Sequence, residues 1–189
     1  YTDGYRVITT LDSTLQRAAD SALRKALFAY DRRHGFRGAI DNLSIDKIIA
    51  DYVAENSIDD LNADAIANLA LQNTLSDYPS YGHLNAAIVL NIRTDNSAEF
   101  FLRDSGKADV EWEKIKWAPF ITDNRIGDPP GDITKMLAPG DVVYLLNTRN
   151  GLQLAQIPGA QGAFVAMDPS DGSTVALSGG FDYFASKFN

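Results

Sequence analysis

Apolar residues recur at helical spacing near the start of the chain, and β-branched residues come directly before them. The apolar positions fall every three or four residues, at Leu15, Ala18, Ala19, Ala22, Leu23, Ala26 and Leu27. This period predicts an amphipathic helix, for which Ser13 and Gln16 have capping-box spacing and Gly35 is a suitable C-terminal stop. The β-branched run predicts a strand over Tyr5–Leu11. The chain is therefore expected to start with a strand followed by a helix.

The residues from 42 to 79 also show helical spacing, with more polar positions between the apolar ones. One apolar stripe consists of Ile45, Ile48, Ile49, Tyr52 and Val53. A second, weaker stripe consists of Ala63, Ile66, Ala67, Ala70 and Leu71. Pro79 and Gly82 end this region, because both residue types interrupt helices. The pattern predicts helical structure that is rich in polar residues.

From Leu84 onward the apolar period changes from 3.6 to two, which is typical of strands. The alternation covers residues 84–93. Further strands are predicted over 99–103, in part over 110–117, and over 142–146 and 152–156. Asn150–Gly151 is a hairpin signal, since both residue types tolerate a positive φ. Several short strands at this spacing predict a small barrel or sandwich.

A second hairpin is predicted near the end of the sequence. Its arms are Ala163–Met167 and Thr174–Leu177, and its turn is Asp168–Gly172. Both arms are apolar on both faces, so we expect the hairpin to lie centrally in a sheet that is covered on each side. We also expect it to pack against the strand Tyr5–Leu11, because two strands alone are marginally stable.

Composition and charge narrow the class of protein. The chain has 189 residues, of which 45% are hydrophobic and 22% charged, as in globular proteins. It has no apolar run of about 18 residues and no visible secretory signal. The absence of cysteine excludes disulfides and thiolate metal sites. A formal net charge of −8 repels polyphosphate, so nucleic acid is not expected as a partner.

Two sets of residues invite a catalytic interpretation. Ser44 and Lys47 have the S-x-x-K spacing of acyl-transfer enzymes, in which the lysine helps to take the serine proton. The alternative is that Ser44 caps a helix and Lys47 is a solvated charge. We favour the alternative, because the S-x-N and K-[ST]-G companions are absent from the sequence. His34 and His83 have no second histidine at helical spacing, so they are expected on the surface or at helix ends.

Acidic and aromatic residues are further candidates for a functional site. Asp123, Asp128, Asp168 and Asp171 are candidates for general acid–base chemistry or for calcium. Their positions in turns favour ordinary hydrogen bonds to the backbone. Four aromatic residues could form a recognition platform or fill a core: Trp112, Trp117, Phe120 and Tyr144. We favour the core, because large aromatic side chains usually fill small barrels.

Three stretches resemble the class A (bifunctional) penicillin-binding proteins, in particular their 1A subtype. The first is Gly4–Asp12 with Leu15–Gln16 and Tyr30–Gly38, which is similar to the strand and helix that enter the transpeptidase domain. The second is Pro139–Val142 with Leu154–Pro158, which is similar to the end of the family's OB-like insert. The third is Gln161–Pro169 with Gly179–Asp182 and Ser186–Asn189, which resembles the lead-in to the family's catalytic serine.

The resemblance implies an α+β fold in two parts. Residues 1–37 and 161–189 would belong to an incomplete transpeptidase domain, the first as its strand and helix and the second as its hairpin. Residues 38–160 would be an inserted helical and OB-like barrel domain, whose two ends should lie close together. The first and last residues are expected to be boundaries within a longer protein. The family's catalytic residues match no position here, so no catalytic, cofactor-binding or metal-binding residue and no cofactor is expected.

The resemblance also implies a function and a location. The parent would be a periplasmic peptidoglycan synthase, anchored in the inner membrane, with glycosyltransferase and transpeptidase activities. This chain would be a non-catalytic part that acts as a scaffold and docks a regulator, for which the resemblance implies an outer-membrane lipoprotein activator. Two alternatives remain: a glycan-binding module of the same synthase, and an independent hydrolase that uses Ser44 and Lys47.

Overall fold

The chain divides into two units, and each is described by itself. This computed structural model describes residues 4, 6–56, 62–117, 119, 121–122, 125–128 and 130–182. One unit, unit 1, consists of Tyr1–Arg33 and Pro158–Asn189, and the other, unit 2, of His34–Ile157. The boundaries predicted after residues 37 and 160 lie within four residues of these limits.

The secondary structure comprises three α-helices, ten strands and two single-turn 3-10 helices among the described residues. The helices are α1 (Ser13–Arg33), α2 (Ile45–Asn56) and α3 (Ala63–Leu75). The strands are β1 (Asp41–Asn42), β2 (Leu84–Ile92), β3 (Ala98–Leu102), β4 (Gly106–Val110), β5 (Ile121–Thr122), β6 (Arg125–Ile126), β7 (Asp141–Thr148), β8 (Gly151–Ala155), β9 (Ala163–Met167) and β10 (Thr174–Gly179). The 3-10 helices are Trp112–Lys114 and Ile133–Lys135. None of the described helices is long and apolar enough to cross a membrane.

Helix α1 of unit 1 is capped by Asp12. The Asp12 Oδ1 atom accepts hydrogen bonds from the backbone N–H groups of Thr14 and Leu15, both at 2.8 Å. A carboxylate in this position satisfies two free N–H groups and faces the positive end of the helix dipole. The predicted capping box of Ser13 and Gln16 is therefore wrong, because Asp12 takes the capping position and Gln16 has other partners.

The Gln16 side chain joins α1 to strand β10. Its Nε2 atom donates to the carbonyl oxygen of Leu177 at 2.8 Å, and its Oε1 atom accepts from the N–H group of Leu177 at 2.9 Å. One turn earlier, the N–H group of Asp12 donates to the carbonyl oxygen of Val175 at 2.9 Å. The chain before α1 thus lies beside β10 without forming the regular backbone hydrogen bonds of a paired strand.

The strand predicted over Tyr5–Leu11 is not formed by residues 6–11, and Tyr5 lies outside the described residues. Thr10 Oγ1 donates to the carbonyl oxygen of Thr174 at 2.6 Å, so this segment does lie against the hairpin as expected. The side chains of Val7 and Ile8 remain about four-fifths exposed, at 79% and 82%. A β-branched run favours a strand only where a neighbouring strand offers backbone partners, and here side-chain groups occupy that edge.

Strands β9 and β10 form the predicted hairpin as a two-stranded antiparallel sheet. Helix α1 covers one face, where Ala19, Leu27 and Ala176 are buried. The expectation of cover on both faces fails among the described residues. The apolar side chains that remain exposed are Phe164, Val165, Met167 and Leu177. The hairpin therefore carries an apolar surface that α1 alone does not bury.

Unit 2 is organised by a six-stranded antiparallel sheet. Strand β7 pairs with β2 on one side and with β1 and β8 on the other, and β3 and β4 follow β2. The residue pairs Ala87–Val143 and Ala87–Leu102 fix the register of the three central strands. The described strands do not close into the predicted barrel, because β4 and β8, at the two edges, do not pair with each other.

One face of this sheet carries the main core of unit 2. Ala87, Val89, Phe100, Val143 and Leu145 alternate along their strands and are fully or almost fully buried. The two 3-10 helices close over them through Ile115 and Ile133, each 0% exposed. The strand predicted in part over 110–117 is wrong beyond Val110, where β4 ends and this 3-10 turn begins.

Gly140 fixes the entry to β7. Its φ is +91°, and a Cβ at this position would collide with the backbone oxygen of Leu43. The two residues are also joined by a hydrogen bond from Leu43 N to the Gly140 carbonyl oxygen at 2.9 Å. Only glycine combines a positive φ with so close an approach of two backbones.

A buried glutamine side chain joins the two ends of unit 2. Gln156 is 8% exposed. Its Nε2 atom donates to the Gly35 carbonyl oxygen at 2.8 Å, and its Oε1 atom accepts from the Arg37 N–H group at 3.0 Å. We call these three residues the terminal clasp. The ends of the unit thus lie side by side, as an inserted domain requires.

Candidate functional site

Helix α3 forms the inner layer of a helix pair on the second face of the unit 2 sheet. The Asn62 side chain caps α3 by accepting a hydrogen bond from Ala65 N at 2.7 Å. The helix buries Ala70, Leu71 and Leu75 and packs on β2 and β3. Burial of this stripe fixes α3 on the sheet, so that it can support a second helix.

Helix α2 forms the outer layer. The predicted stripe is half-buried at Ile45, Ile48, Ile49 and Tyr52, and α2 packs against α3. No residue of α2 is fully buried, and Val53 is 37% exposed. The outer helix is therefore held by partial burial of a few side chains, and most of its surface faces solvent.

A groove runs between the two helices. Its volume is about 170 Å³, and its lining residues are Ile48, Asp51, Tyr52, Glu55, Ala70, Asn73 and Thr74. We call this set the α2–α3 groove. Apolar and amide groups line the groove from α3, and Ile48 adds apolar surface from α2. The two carboxylates also lie on α2. The groove thus combines apolar surface with negative charge on one wall.

The two carboxylates of the groove lie on one side of α2. Asp51 and Glu55 are four residues apart, a spacing that places side chains on the same helix face. Neither makes an ion pair with another residue in the described part of the chain. Asp46 and Asp64 add negative charge to the same two helices, and Lys47 is the one basic residue on them. Their field favours a positively charged partner.

Below α3, a tyrosine–aspartate contact holds the chain that follows the helix. The Tyr78 hydroxyl donates to Asp41 Oδ2 at 2.7 Å. Partial burial, together with the hydrogen bond and the charge of Asp41, raises the pKa of Tyr78 to about 12. The tyrosine therefore remains a neutral donor far above neutral pH, and it joins the end of α3 to β1.

The residues that are candidates for catalysis are exposed residues of unit 2. Ser44 directly precedes α2, and its carbonyl oxygen accepts a hydrogen bond from Ile48 N at 3.0 Å, which is the position of a helix-capping residue. Ser44 and Lys47 are exposed, as are His34 and His83. Among the described residues, no side-chain hydrogen bond or ion pair involves Ser44 or Lys47.

The aspartates considered for acid–base or metal chemistry form turn contacts. Asp168 Oδ1 accepts from Ser170 N and Oγ, and these hydrogen bonds lower the pKa of Asp168. Asp171 Oδ1 accepts from Ser173 N at 2.9 Å, and its pKa is lowered in the same way. Asp128 is exposed, and Asp123 lies outside the described residues. No group of three or more potential metal ligands occurs within the described ranges.

The aromatic side chains are packed instead of forming an open platform. Trp117 Nε1 donates to the Leu154 carbonyl oxygen at 2.7 Å, and its ring meets Phe36 edge to face. Trp112 packs against the same core, and Tyr144 is 4% exposed. Phe120 lies outside the described residues.

The comparisons with known proteins agree with this arrangement of an OB-like unit between two shorter segments. A family model described as "Penicillin-binding protein OB-like domain" matches residues 36–160. The chain belongs to the class A penicillin-binding protein family. The match covers the sheet of unit 2, the helix pair and two of the three residues of the terminal clasp, Arg37 and Gln156.

Family members match along the whole chain. Penicillin-binding protein 1A of Vibrio cholerae is 37% identical over 195 residues, which cover 100% of this chain and 22% of that protein. The Escherichia coli protein of the same name is 33% identical over 100% of this chain and 20% of its own length. The crystal structure of penicillin-binding protein 1A from Haemophilus influenzae superposes with a TM-score of 0.67 at 26% identity, covering 97% of this chain and 23% of that chain. The chain thus spans about a fifth of the length of these relatives.

Proposed function

We propose that this chain is a non-catalytic part of a peptidoglycan synthase whose OB-like unit docks a regulatory protein. The α2–α3 groove carries the docking proposal. It is a largely polar groove with some apolar surface beside a partly buried outer helix, and its two carboxylates make no ion pair with any described residue. Surfaces that pair apolar contact with complementary charge favour a protein partner over a small substrate.

The proposed partner is a protein segment that carries lysine or arginine beside apolar side chains. Such a segment would place its apolar side chains on Ile48 and Ala70, and its cations against Asp51 and Glu55. Of the regulators that the family resemblance implies, the outer-membrane lipoprotein activator is the one we propose. The parent would then be a periplasmic enzyme with an inner-membrane anchor, so that this unit meets the lipoprotein between the two membranes.

Unit 1 is proposed to be the start of the parent's transpeptidase domain. The exposed apolar side chains of the β9–β10 hairpin support this proposal, because such a surface usually meets further structure. The catalytic serine and lysine of the parent have no counterpart at Ser44 and Lys47, which stand exposed at the start of α2 in the other unit. Neither the glycosyltransferase nor the transpeptidase reaction proposed for the parent is assigned to this chain.

Charge reversal in the groove tests the docking proposal. We expect the 189-residue chain to bind the purified cognate lipoprotein saturably in biolayer interferometry. The double variant Asp51→Lys with Glu55→Lys should weaken binding about tenfold or more, because a like charge replaces an attraction at two positions. Rising salt should weaken wild-type binding and should affect the variant less.

A matched control carries the same change of charge elsewhere on unit 2. Glu111 and Asp128 are exposed acidic residues outside the groove, and their double replacement by lysine should leave the affinity within about twofold. Equal losses in both double variants would point to a general effect of net charge and would contradict the groove as the docking site. Absence of wild-type binding would overturn the docking proposal itself.

A further inference from the structure

The hairpin of β7 and β8 in unit 2 ends in an exposed asparagine–glycine pair. The last residue pair of the two strands is Thr148–Gly151, so the turn between them consists of Arg149 and Asn150. Both turn residues and Gly151 are exposed. Gly151 has a φ of +95°, which residues with a side chain rarely adopt. The pair that forms the turn is therefore fully accessible to water.

The side-chain amide of Asn150 makes no hydrogen bond to another described residue. The side-chain contacts of the turn are made by Thr148. Its Oγ1 atom accepts a hydrogen bond from Asn150 N at 3.2 Å and donates one to the Gly151 carbonyl oxygen at 2.7 Å. Both hydrogen bonds hold the backbone of the turn, and neither restrains the Asn150 carboxamide.

The surroundings of Gly151 are open. A Cβ built at this position meets no heavy atom within 4 Å other than those of its neighbours in the chain. Because glycine has no Cβ, its backbone nitrogen is also the least hindered one in a protein. The turn thus leaves room for a five-membered ring that joins the Asn150 side chain to the Gly151 nitrogen.

Two other positions of the chain lack one of these features. Asp171 also precedes a glycine, but its Oδ1 atom accepts a hydrogen bond from Ser173 N at 2.9 Å, and this contact lowers the pKa of Asp171. The ionised carboxylate that results has no good leaving group. Asn147 is exposed and its amide makes no hydrogen bond within the described ranges, but the β-branched Thr148 follows it and crowds the nitrogen.

We propose that Asn150 is a site of spontaneous deamidation and isoaspartate formation in the folded protein. The Gly151 nitrogen attacks Asn150 Cγ, so that a new C–N bond forms and the bond from Cγ to Nδ2 breaks. Nδ2 leaves as ammonia and takes the proton of the Gly151 N–H group. Water then opens the cyclic imide. Cleavage of the new C–N bond gives aspartate, whereas cleavage of the original peptide bond gives isoaspartate.

The modification changes both the charge and the backbone of the turn. Either product adds one negative charge to a chain whose net charge is −8. Isoaspartate also adds one carbon atom to the backbone of a two-residue turn, which displaces the closing pair Thr148–Gly151. The other residue pairs of β7 and β8 lie farther from the turn and hold the hairpin, so the modified chain stays folded. This chemistry does not depend on the docking proposal.

Incubation of the folded 189-residue chain in mildly alkaline buffer tests the proposal. Samples taken over time are digested with chymotrypsin, which separates residue 150 from residue 171, and electron-transfer fragmentation distinguishes isoaspartate from aspartate. Both products should accumulate at residue 150, at least about tenfold faster than Asn147 deamidates in the same samples. An unincubated sample, digested in parallel, measures the deamidation that occurs during digestion.

Two variants and an unfolded sample make the outcome specific. Gly151→Ala places a methyl group in open space beside the attacking nitrogen and should slow the reaction at least about tenfold. Asn150→Gln keeps an exposed amide but requires a six-membered ring, so it should give no product on this time scale. Tryptophan fluorescence verifies that both variants are folded. The urea-unfolded wild-type chain gives the rate without the turn, and the folded chain should react within about tenfold of it.

Three results would each overturn the proposal. Conversion to aspartate alone would show direct hydrolysis without the cyclic imide. An equal rate in Gly151→Ala would show that the nitrogen of residue 151 is not the attacking group. No product in the folded chain, after the unfolded chain has largely reacted, would show that the turn protects Asn150.

Discussion

Replacement of Gln156 by leucine should destabilise unit 2 selectively. The terminal clasp makes two hydrogen bonds, of 2.8 Å to the Gly35 carbonyl oxygen and of 3.0 Å from the Arg37 N–H group. Leucine has a similar size but offers neither a donor nor an acceptor. Both backbone groups then lose their side-chain partner, and the buried Gly35 carbonyl oxygen remains shielded from water.

The expected loss follows from the surroundings of the two groups. Gly35 is buried, so its carbonyl oxygen pays most of a desolvation penalty of about 1–3 kcal/mol. Arg37 is exposed, so its N–H group can bind water and loses only about 0.5–1.5 kcal/mol. The free energy of unfolding should therefore fall by about 2–4 kcal/mol, with little compensation from the added apolar side chain.

Tryptophan fluorescence during urea unfolding measures this loss in unit 2 alone. The chain has two tryptophans, Trp112 and Trp117, and both belong to unit 2. The Trp117 ring packs against Phe36, next to the clasp. A shift of the midpoint with an unchanged slope would report a loss of stability without a change in the surface exposed on unfolding.

Two further variants, one on β8 and one at Gln156 itself, test whether loss of the clasp hydrogen bonds causes the loss of stability. Gln153→Leu makes the same replacement on β8, where the side chain has no hydrogen bond within the described chain, and should cost less than about 0.5 kcal/mol. Gln156→Glu keeps an acceptor for Arg37 but sets a carboxylate against the Gly35 oxygen. Burial raises the pKa of this carboxyl in the folded state, so its destabilisation should grow as pH rises above about 4.3. Equal stability of both leucine variants would refute the reasoning.

The other predictions concern a glycine, a tyrosine and a serine. Gly140→Ala should cost about 3 kcal/mol or more in urea unfolding because the new methyl group meets backbone, whereas Gly151→Ala, at a φ of +95° but in open space, should cost only about 1 kcal/mol. Ultraviolet titration should show Tyr78 ionising near its pKa of about 12. The stability that its neutral hydroxyl contributes is therefore complete below about pH 10 and is lost as the pH rises towards 12. Tyr78→Phe should abolish one late-titrating phenol. Intact-mass measurement after incubation with a penicillin should show no adduct, and an adduct that disappears in Ser44→Ala would contradict the non-catalytic assignment.

Local sequence patterns predicted the elements whose partners lie nearby in the sequence. Helix α1 and the hairpin β9–β10 follow directly from a 3.6-residue period and from two apolar runs around a turn. The wrong predictions at the start of α1 have one cause. Asp12, Ser13 and Gln16 are all plausible capping residues, and only the position of β10, 161 residues later at Leu177, assigns Gln16 to the hairpin.

The candidate site depended on tertiary packing that periodicity does not encode. The acidic residues of α2 are evident in the sequence, but only the structure shows that Asp51 and Glu55 make no ion pair with a described residue. The same holds for Gln156, whose buried amide gives no sequence signal that differs from an exposed glutamine. The predicted barrel failed for a related reason, because strand spacing predicts pairs of neighbours and does not determine whether the edge strands meet.

The Gln16 side chain has a consequence for self-association. It occupies the N–H and carbonyl groups of Leu177, and Thr10 and Asp12 occupy two further carbonyl groups along the same edge of β10. A two-stranded sheet with one blocked edge can add strands only through β9, whose outer edge pairs with no strand in the described part of the chain. Edge pairing between two copies then uses the one available edge of each and leaves none for a third. Association through this hairpin therefore stops at a closed dimer, and the Thr10 and Gln16 side chains together with the Asp12 backbone N–H group oppose growth into a fibril.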